Sequence, residues 1–214
     1  MLELQKKLQS LMLRLDYMGM RVEQQVHDAV ESLRKKDADA AKRIIEFDEK
    51  VDREEVEIEQ ECIRLLALYQ PAAIDLRTIC TIIKVNNDLE RIADRAVNLA
   101  KQVKHIIASN IDMEDYKGLL PLEETVFDIL NRTMRMINTT EVHTAKEVIE
   151  MDDMVDSHYK ELLQMILSRN ESAAKAITAN NIAKAFERIA DLCTNISEDI
   201  IFLRTGEIVR HADI

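Results

Sequence analysis

The sequence predicts an all-α protein built as two tandem three-helix bundles, six long helices related by an internal pseudo-twofold repeat. Three observations carry this. Only three glycines and two prolines occur in 214 residues, whereas a sheet protein of this length needs a turn every ten residues or so, with the Gly, Pro and Asn-Gly signals that turns require. Apolar residues recur in alternating steps of three and four, the period of a helix face. Finally, two collinear motifs occur twice in the chain.

The repeat is explicit. Ile45-Glu-Phe-Asp-Glu-Lys-Val-Asp52 returns as Ile149-Glu-Met-Asp-Asp-Met-Val-Asp156, an offset of 104 positions. Glu90-Arg-Ile-Ala-Asp94, followed by Asn98, returns as Glu187-Arg-Ile-Ala-Asp191, followed by Asn195, an offset of 97. The order is kept and the first copy carries seven extra residues between its motifs. The first repeat is assigned to residues 1–110 and the second to 111–214.

The elements follow in order. Helix 1 is predicted over Leu2–Arg34 and helix 2 over Asp39–Leu68. Pro71 opens helix 3 at a first-turn position, where a missing N–H costs nothing, and that helix runs to Ala108. Its seam is Ile82, Val85, Leu89, Ile92, Ala96, Leu99 and Val103. Ser109–Leu120, with Gly118 and Pro121 at its end, is the break between repeats. Helix 4 is predicted over Leu122–Asn138, helix 5 over Val142–Leu167 and helix 6 over Glu171–Arg204. Helix 6 carries a matching seam of Ile182, Phe186, Ile189, Cys193, Ile196, Ile200 and Leu203, and helix 2 one of Ile44, Phe47, Val51, Ile58 and Cys62, so Cys62 and Cys193 are expected in the core. Seams of alternating three and four, joined by short connections, imply antiparallel neighbours in each half.

Composition excludes several functions. No Gly-rich loop of the G-x-G-x-x-G or Walker type is present, so phosphate-cradling nucleotide folds are excluded. Twenty-nine Lys+Arg against 40 Asp+Glu, a net charge of −11, oppose nucleic-acid binding, which requires neutralisation of phosphates by cations. The longest apolar runs, such as Leu65–Tyr69 and Ile200–Leu203, are far below the roughly 18 residues of a spanning helix. No signal-peptide core follows Met1, so a cytoplasmic location is expected, without insertion into the membrane. Cys62, Cys80 and Cys193 show no C-x-x-C spacing, which suits a reducing compartment.

The polar residues of interest are acidic. Glu90 and Asp94 stand four apart on one helix face, and the seam places them away from the core. Like charges at this spacing cost a few tenths of a kcal/mol, yet Glu187 and Asp191 repeat the arrangement. Asp48 and Asp52 on helix 2, and Asp152 and Asp156 on helix 5, flank their own seams. If helix 2 packs beside helix 3, two carboxylates from each converge on an oxygen-rich site for a divalent ion such as Mg, Mn, Fe or Zn, and helices 5 and 6 do the same. The stripe Asp48, Asp52, Glu55, Glu59 becomes Asp152, Asp156, Tyr159, Leu163 in the second copy, so tighter binding is expected in the first. The E-x-x-H motif of buried di-iron bundles is absent. No nucleophile, triad or catalytic histidine spacing appears, and the chain is read as non-enzymatic. Two alternatives stand beside this, a metal-dependent enzyme using the surface carboxylates and a purely structural scaffold.

Several motifs together resemble the PhoU family, regulators of bacterial phosphate uptake. Asp88-Leu-Glu-Arg-Ile-Ala-Asp-Arg-Ala-Val-Asn98 and Phe186-Glu-Arg-Ile-Ala-Asp191 are similar to its two signatures. Gln70-Pro-Ala-Ala-Ile-Asp-Leu-Arg77 resembles the stretch that opens its third helix, and Glu198–Glu207 with Val209-Arg-His211 its terminus. Where the family often has glycine in the signature's fourth position, this chain has Ala93 and Ala190, and the second repeat lacks a counterpart of Asp75 and Arg77. The resemblance implies a cytoplasmic helical protein that holds metal on its acidic motifs and forms homodimers. It further implies a negative regulator of the phosphate-starvation response, linking the ATPase subunit of the phosphate ABC transporter to a sensor histidine kinase.

Overall fold

The computed structural model describes residues 2–112, 118–168 and 172–209. These form six helices: α1 Leu2–Lys35, α2 Ala38–Tyr69, α3 Ala73–Ala108, α4 Leu119–Thr139, α5 Val142–Ser168 and α6 Ala173–Thr205. No strand occurs among the described residues.

Local chemistry sets the helix ends. Asp37 precedes α2 in extended conformation, and its carboxylate accepts from the N–H groups of Asp39 and Ala40, satisfying two donors that the first turn leaves open. Gln70 ends α2 in the left-handed region, φ 46°, its N–H returned to the Leu66 carbonyl. Gly206 closes α6 the same way at φ 79°, donating to the Phe202 carbonyl. Ser172 caps α6 through the Lys175 N–H; the predicted start at Glu171 lies outside the described residues. One boundary assignment is reversed. Pro71 lies before the extended Ala72 that precedes α3, not within its first turn. Pro121 is the first-turn proline, because α4 begins at Leu119 rather than Leu122.

Within the first triplet α1, α2 and α3 pack on one another, and α4, α5 and α6 do so in the second. The triplets meet through an extensive α3–α6 contact and a smaller α1–α4 contact, so both repeats share one continuous core. The predicted seams are buried: Ile82, Val85, Leu89, Ile92, Ala96, Leu99 and Val103 of α3, and Ile182, Phe186, Ile189, Cys193, Ile196, Ile200 and Leu203 of α6. Burial raises the Cys62 and Cys193 thiols to about 12, the condition of inert core filler. Ala93 and Ala190 are also fully buried.

Polar contacts tie the repeats in register. Asp199 of α6, only 2% exposed, accepts from Lys84 of α3 at 2.9 Å. Arg34 of α1 pairs with Glu123 of α4, and Asn131 of α4 donates to Glu23 of α1 at 3.0 Å. His27 stacks on Phe127 with ring centroids 4.2 Å apart. At Gly19 the side chains of α4 press against the α1 backbone, and a Cβ would stand 3.0 Å from the Met134 sulfur. The outer helices α2 and α5 lie along α3 and α6, which positions the acidic motifs.

Candidate metal centre

Each acidic motif occupies the cleft between an outer and a central helix. On the first side, Glu90 and Asp94 of α3 are half-buried rather than fully solvated, and Asp48 of α2 is half-buried while Asp52 is exposed. Their fields overlap. The Glu90 carboxyl is pushed up to about 7, by burial first and then by Asp94, Asp52, Glu55 and Asp48. Burial raises Asp48 as well, against a hydrogen bond from Gln25 and with Asp52 and Asp94 adding to the rise. Glu55, one turn after Asp52 and outside the predicted quartet, is raised by burial, Glu59 and Asp52. It belongs to the same patch.

The second side repeats this with a difference. Asp152 of α5 is pushed up to about 6 by burial, then by Asp191, Asp156, Asp153 and Glu187. Glu187 is raised by burial and Asp191, with Arg188 opposing. Asp156 is exposed and accepts from Lys160 at 3.3 Å. Cations enter here: Arg188 reaches Asp191 at 2.7 Å and Glu187 at 3.4 Å. A cleft of about 410 Å³ is lined by Asp152 and Asp191 together with Arg91, Arg95 and Arg188. These arginines escaped the sequence reading although Arg91 and Arg188 stand inside the repeated pentapeptide.

Both quartets are therefore brought together across facing helices, Asp48 and Asp52 with Glu90 and Asp94, and Asp152 and Asp156 with Glu187 and Asp191. Among the described residues no three His, Cys, Asp or Glu side chains close into a ready coordination group, and mutual repulsion opposes such closure without a counter-charge. The surroundings fit a cation. Glu187 Oε2 is buried and makes no hydrogen bond, its contact with Arg188 being a 3.4 Å ion pair. Beside the first patch, the buried Gln25 donates to Asp48 at 3.1 Å while its own Oε1 is unsatisfied. Asn86, one turn before Glu90, donates to the Glu55 carbonyl and likewise leaves Oδ1 without a partner. Buried acceptors lacking donors are costly, and oxygen donors of this kind suit a hard divalent ion.

The PhoU domain family matches residues 15–103 and 119–200. A phosphate-specific transport system accessory protein PhoU homolog of Aquifex aeolicus is 35% identical over 201 residues, 92% of this chain and 90% of that protein. The PhoU accessory protein of Escherichia coli K12 is 31% identical over 216 residues, 96% of this chain and 86% of that protein. Among solved structures, PhoU from Pseudomonas aeruginosa superposes with TM-score 0.90 at 29% identity, covering 95% of this chain and 99% of that one. The phosphate transport system regulatory protein PhoU from Streptococcus pneumoniae does so at 0.88 and 27%, covering 96% and 99%.

Proposed function

The chain belongs to the PhoU family, and from this we propose that it is a non-enzymatic negative regulator of phosphate uptake and the phosphate-starvation response. It acts in the cytoplasm, as a homodimer, between the ATPase subunit of a phosphate ABC transporter and a sensor histidine kinase. The observation that carries the transport connection is the 35% and 31% identity, over 92% and 96% of this chain, to accessory proteins of phosphate-specific transport systems. No described helix is long and apolar enough to cross a membrane, which accords with action through transporter partners.

Divalent metal is the proposed ligand of the acidic patches. Asp48, Asp52, Glu90 and Asp94 would hold one ion, and Asp152, Asp156, Glu187 and Asp191 another. A bound ion supplies positive charge that relieves the repulsion between facing helices and lets half-buried carboxylates ionise at neutral pH. The ion's part is thus structural and regulatory. The support is the elevation of Glu90 to about 7 and of Asp152 to about 6, together with the unsatisfied oxygens beside them.

The regulatory reading is tested by deletion of the gene. Phosphate-starvation genes should then stay switched on in phosphate-rich medium, and a tagged chain should retain the transporter ATPase or a sensor kinase in a pull-down. Normal repression in the deletion strain, with no paralogue present, would refute it.

A further inference from the structure

The two acidic patches differ in one respect that the repeat does not predict. At the first, Lys101 is the cation that acts on Asp48, against the charges of Asp52 and Asp94. The second opens into the 410 Å³ cleft with three guanidinium groups, two of them contributed by α3 of the other repeat. An adjoining cleft of about 270 Å³ shares Arg95 and Arg188 and adds Lys184 with the amides of Asn98 and Asn181. In a chain with net charge −11, this is a local concentration of cationic and amide donors. The Thr194 hydroxyl oxygen, buried and without a hydrogen-bond partner, belongs to a residue that also lines the larger cleft.

The arginines are unequally engaged. Arg91 holds Asp88 at 2.9 Å and Arg188 holds Asp191 at 2.7 Å, whereas the carboxylate recorded beside Arg95 is Asp94, 3.8 Å away. A cation taken up by Asp191 competes directly with Arg188 for that carboxylate. It would release a guanidinium and add two positive charges to a cleft already holding three. Arginine forks recognise tetrahedral oxyanions through paired, charge-assisted hydrogen bonds, so an anion entering beside the metal would satisfy the released donors and balance the charge. We propose that this cleft binds a divalent cation and a tetrahedral oxyanion of the phosphate class together, the cation on Asp152 and Asp191 and the oxyanion on Arg91, Arg95 and Arg188. The inference rests on the metal reading above and extends it, because it couples the two ligands: each strengthens the other by the same factor.

The test uses the full chain, chelator-treated, with Asp48→Asn and Glu90→Gln silencing the first patch. Free Mn²⁺ is followed by electron paramagnetic resonance during titration, alone and with inorganic phosphate or glycerol 3-phosphate. Inorganic phosphate should tighten Mn²⁺ binding at least fivefold. Equal enhancement by the ester identifies a site for phosphoryl groups, and enhancement by the free ion alone a site for inorganic phosphate; both support the coupling. Arg95→Ala should abolish the enhancement while Mn²⁺ alone binds as well or better, and Arg132→Ala on α4 should leave it intact. Mn²⁺ binding that phosphate does not change, or that it enhances equally in Arg95→Ala, would overturn the coupling while leaving the metal reading in place. No Mn²⁺ binding by the wild-type chain would overturn both.

Discussion

Replacing Glu90 by glutamine in metal-free protein should stabilise it at alkaline pH. The carboxyl lies at about 7 against an ordinary 4.5, so the folded state holds this proton more tightly than the unfolded chain does. The associated stability is fully present below about 4.5 and is lost as pH rises through about 7. At about 1.36 kcal/mol per pH unit, ionising Glu90 well above both values costs about 3 kcal/mol as an upper bound. Because the patch is partly open to solvent, screening reduces this to about 1–2 kcal/mol. Glutamine keeps the shape and removes the charge facing Asp94, Asp52, Glu55 and Asp48. At about 2–4 °C per kcal/mol for a chain of this size, the variant should melt about 2–8 °C higher at pH 8. The assay is thermal unfolding by circular dichroism in chelator-treated buffer between pH 4 and 8. The gap should narrow steadily as pH falls from 8 and close by about pH 4, where Glu90 is protonated in both the folded and the unfolded state. With saturating Mn²⁺ the order should reverse, because the wild type keeps a ligand that the variant lacks. A difference independent of pH, or a less stable variant at pH 8 without metal, would refute the reasoning.

Other perturbations separate the sites from the scaffold. Adding Mg²⁺, Mn²⁺, Fe or Zn²⁺ to stripped protein should raise its melting temperature, by about 2.7 kcal/mol of stabilisation at a hundredfold excess over Kd. Asp94→Ala with Asp191→Ala should abolish the rise and leave the helical spectrum unchanged; no shift with any ion in the wild type would make the patches ordinary acidic faces. Lys84→Met removes one partner of the nearly buried Asp199 and should cost about 1–2 kcal/mol in urea unfolding, less than breaking a fully enclosed pair because Lys84 is half-exposed. Gly19→Val should cost about 1–3 kcal/mol by overpacking α1 against Met134 and Ile137 of α4, read from the same urea curves, and a neutral result would mean that these two side chains repack without cost.

Much of this protein was written locally. A helix face depends on residues three and four apart, so the six helices, the α3 and α6 seams and the core burial of Cys62 and Cys193 followed from spacing alone. The acidic quartets were legible for the same reason, as i, i+4 pairs repeated at matching places. Helix ends were less legible, because they depend on which residue takes an extended or left-handed conformation. Gln70 and Ala72 do so around Pro71, while α4 begins early enough to take Pro121 into its first turn. Tertiary packing decided the character of the site. Glu90 is pushed up to about 7 by burial and by Asp94 on its own helix, with Asp52, Glu55 and Asp48 of the neighbouring α2 adding to the rise; helical spacing alone assigned it to an open face. The arginine cleft was beyond any reading made repeat by repeat. Arg91 and Arg95 belong to the first repeat by sequence but line the second patch by position, because the α3–α6 contact crosses the boundary between the copies. Periodicity specifies which residues share a face, whereas the neighbour that a face meets, and so the charge and solvent it experiences, is set by the packing of distant segments.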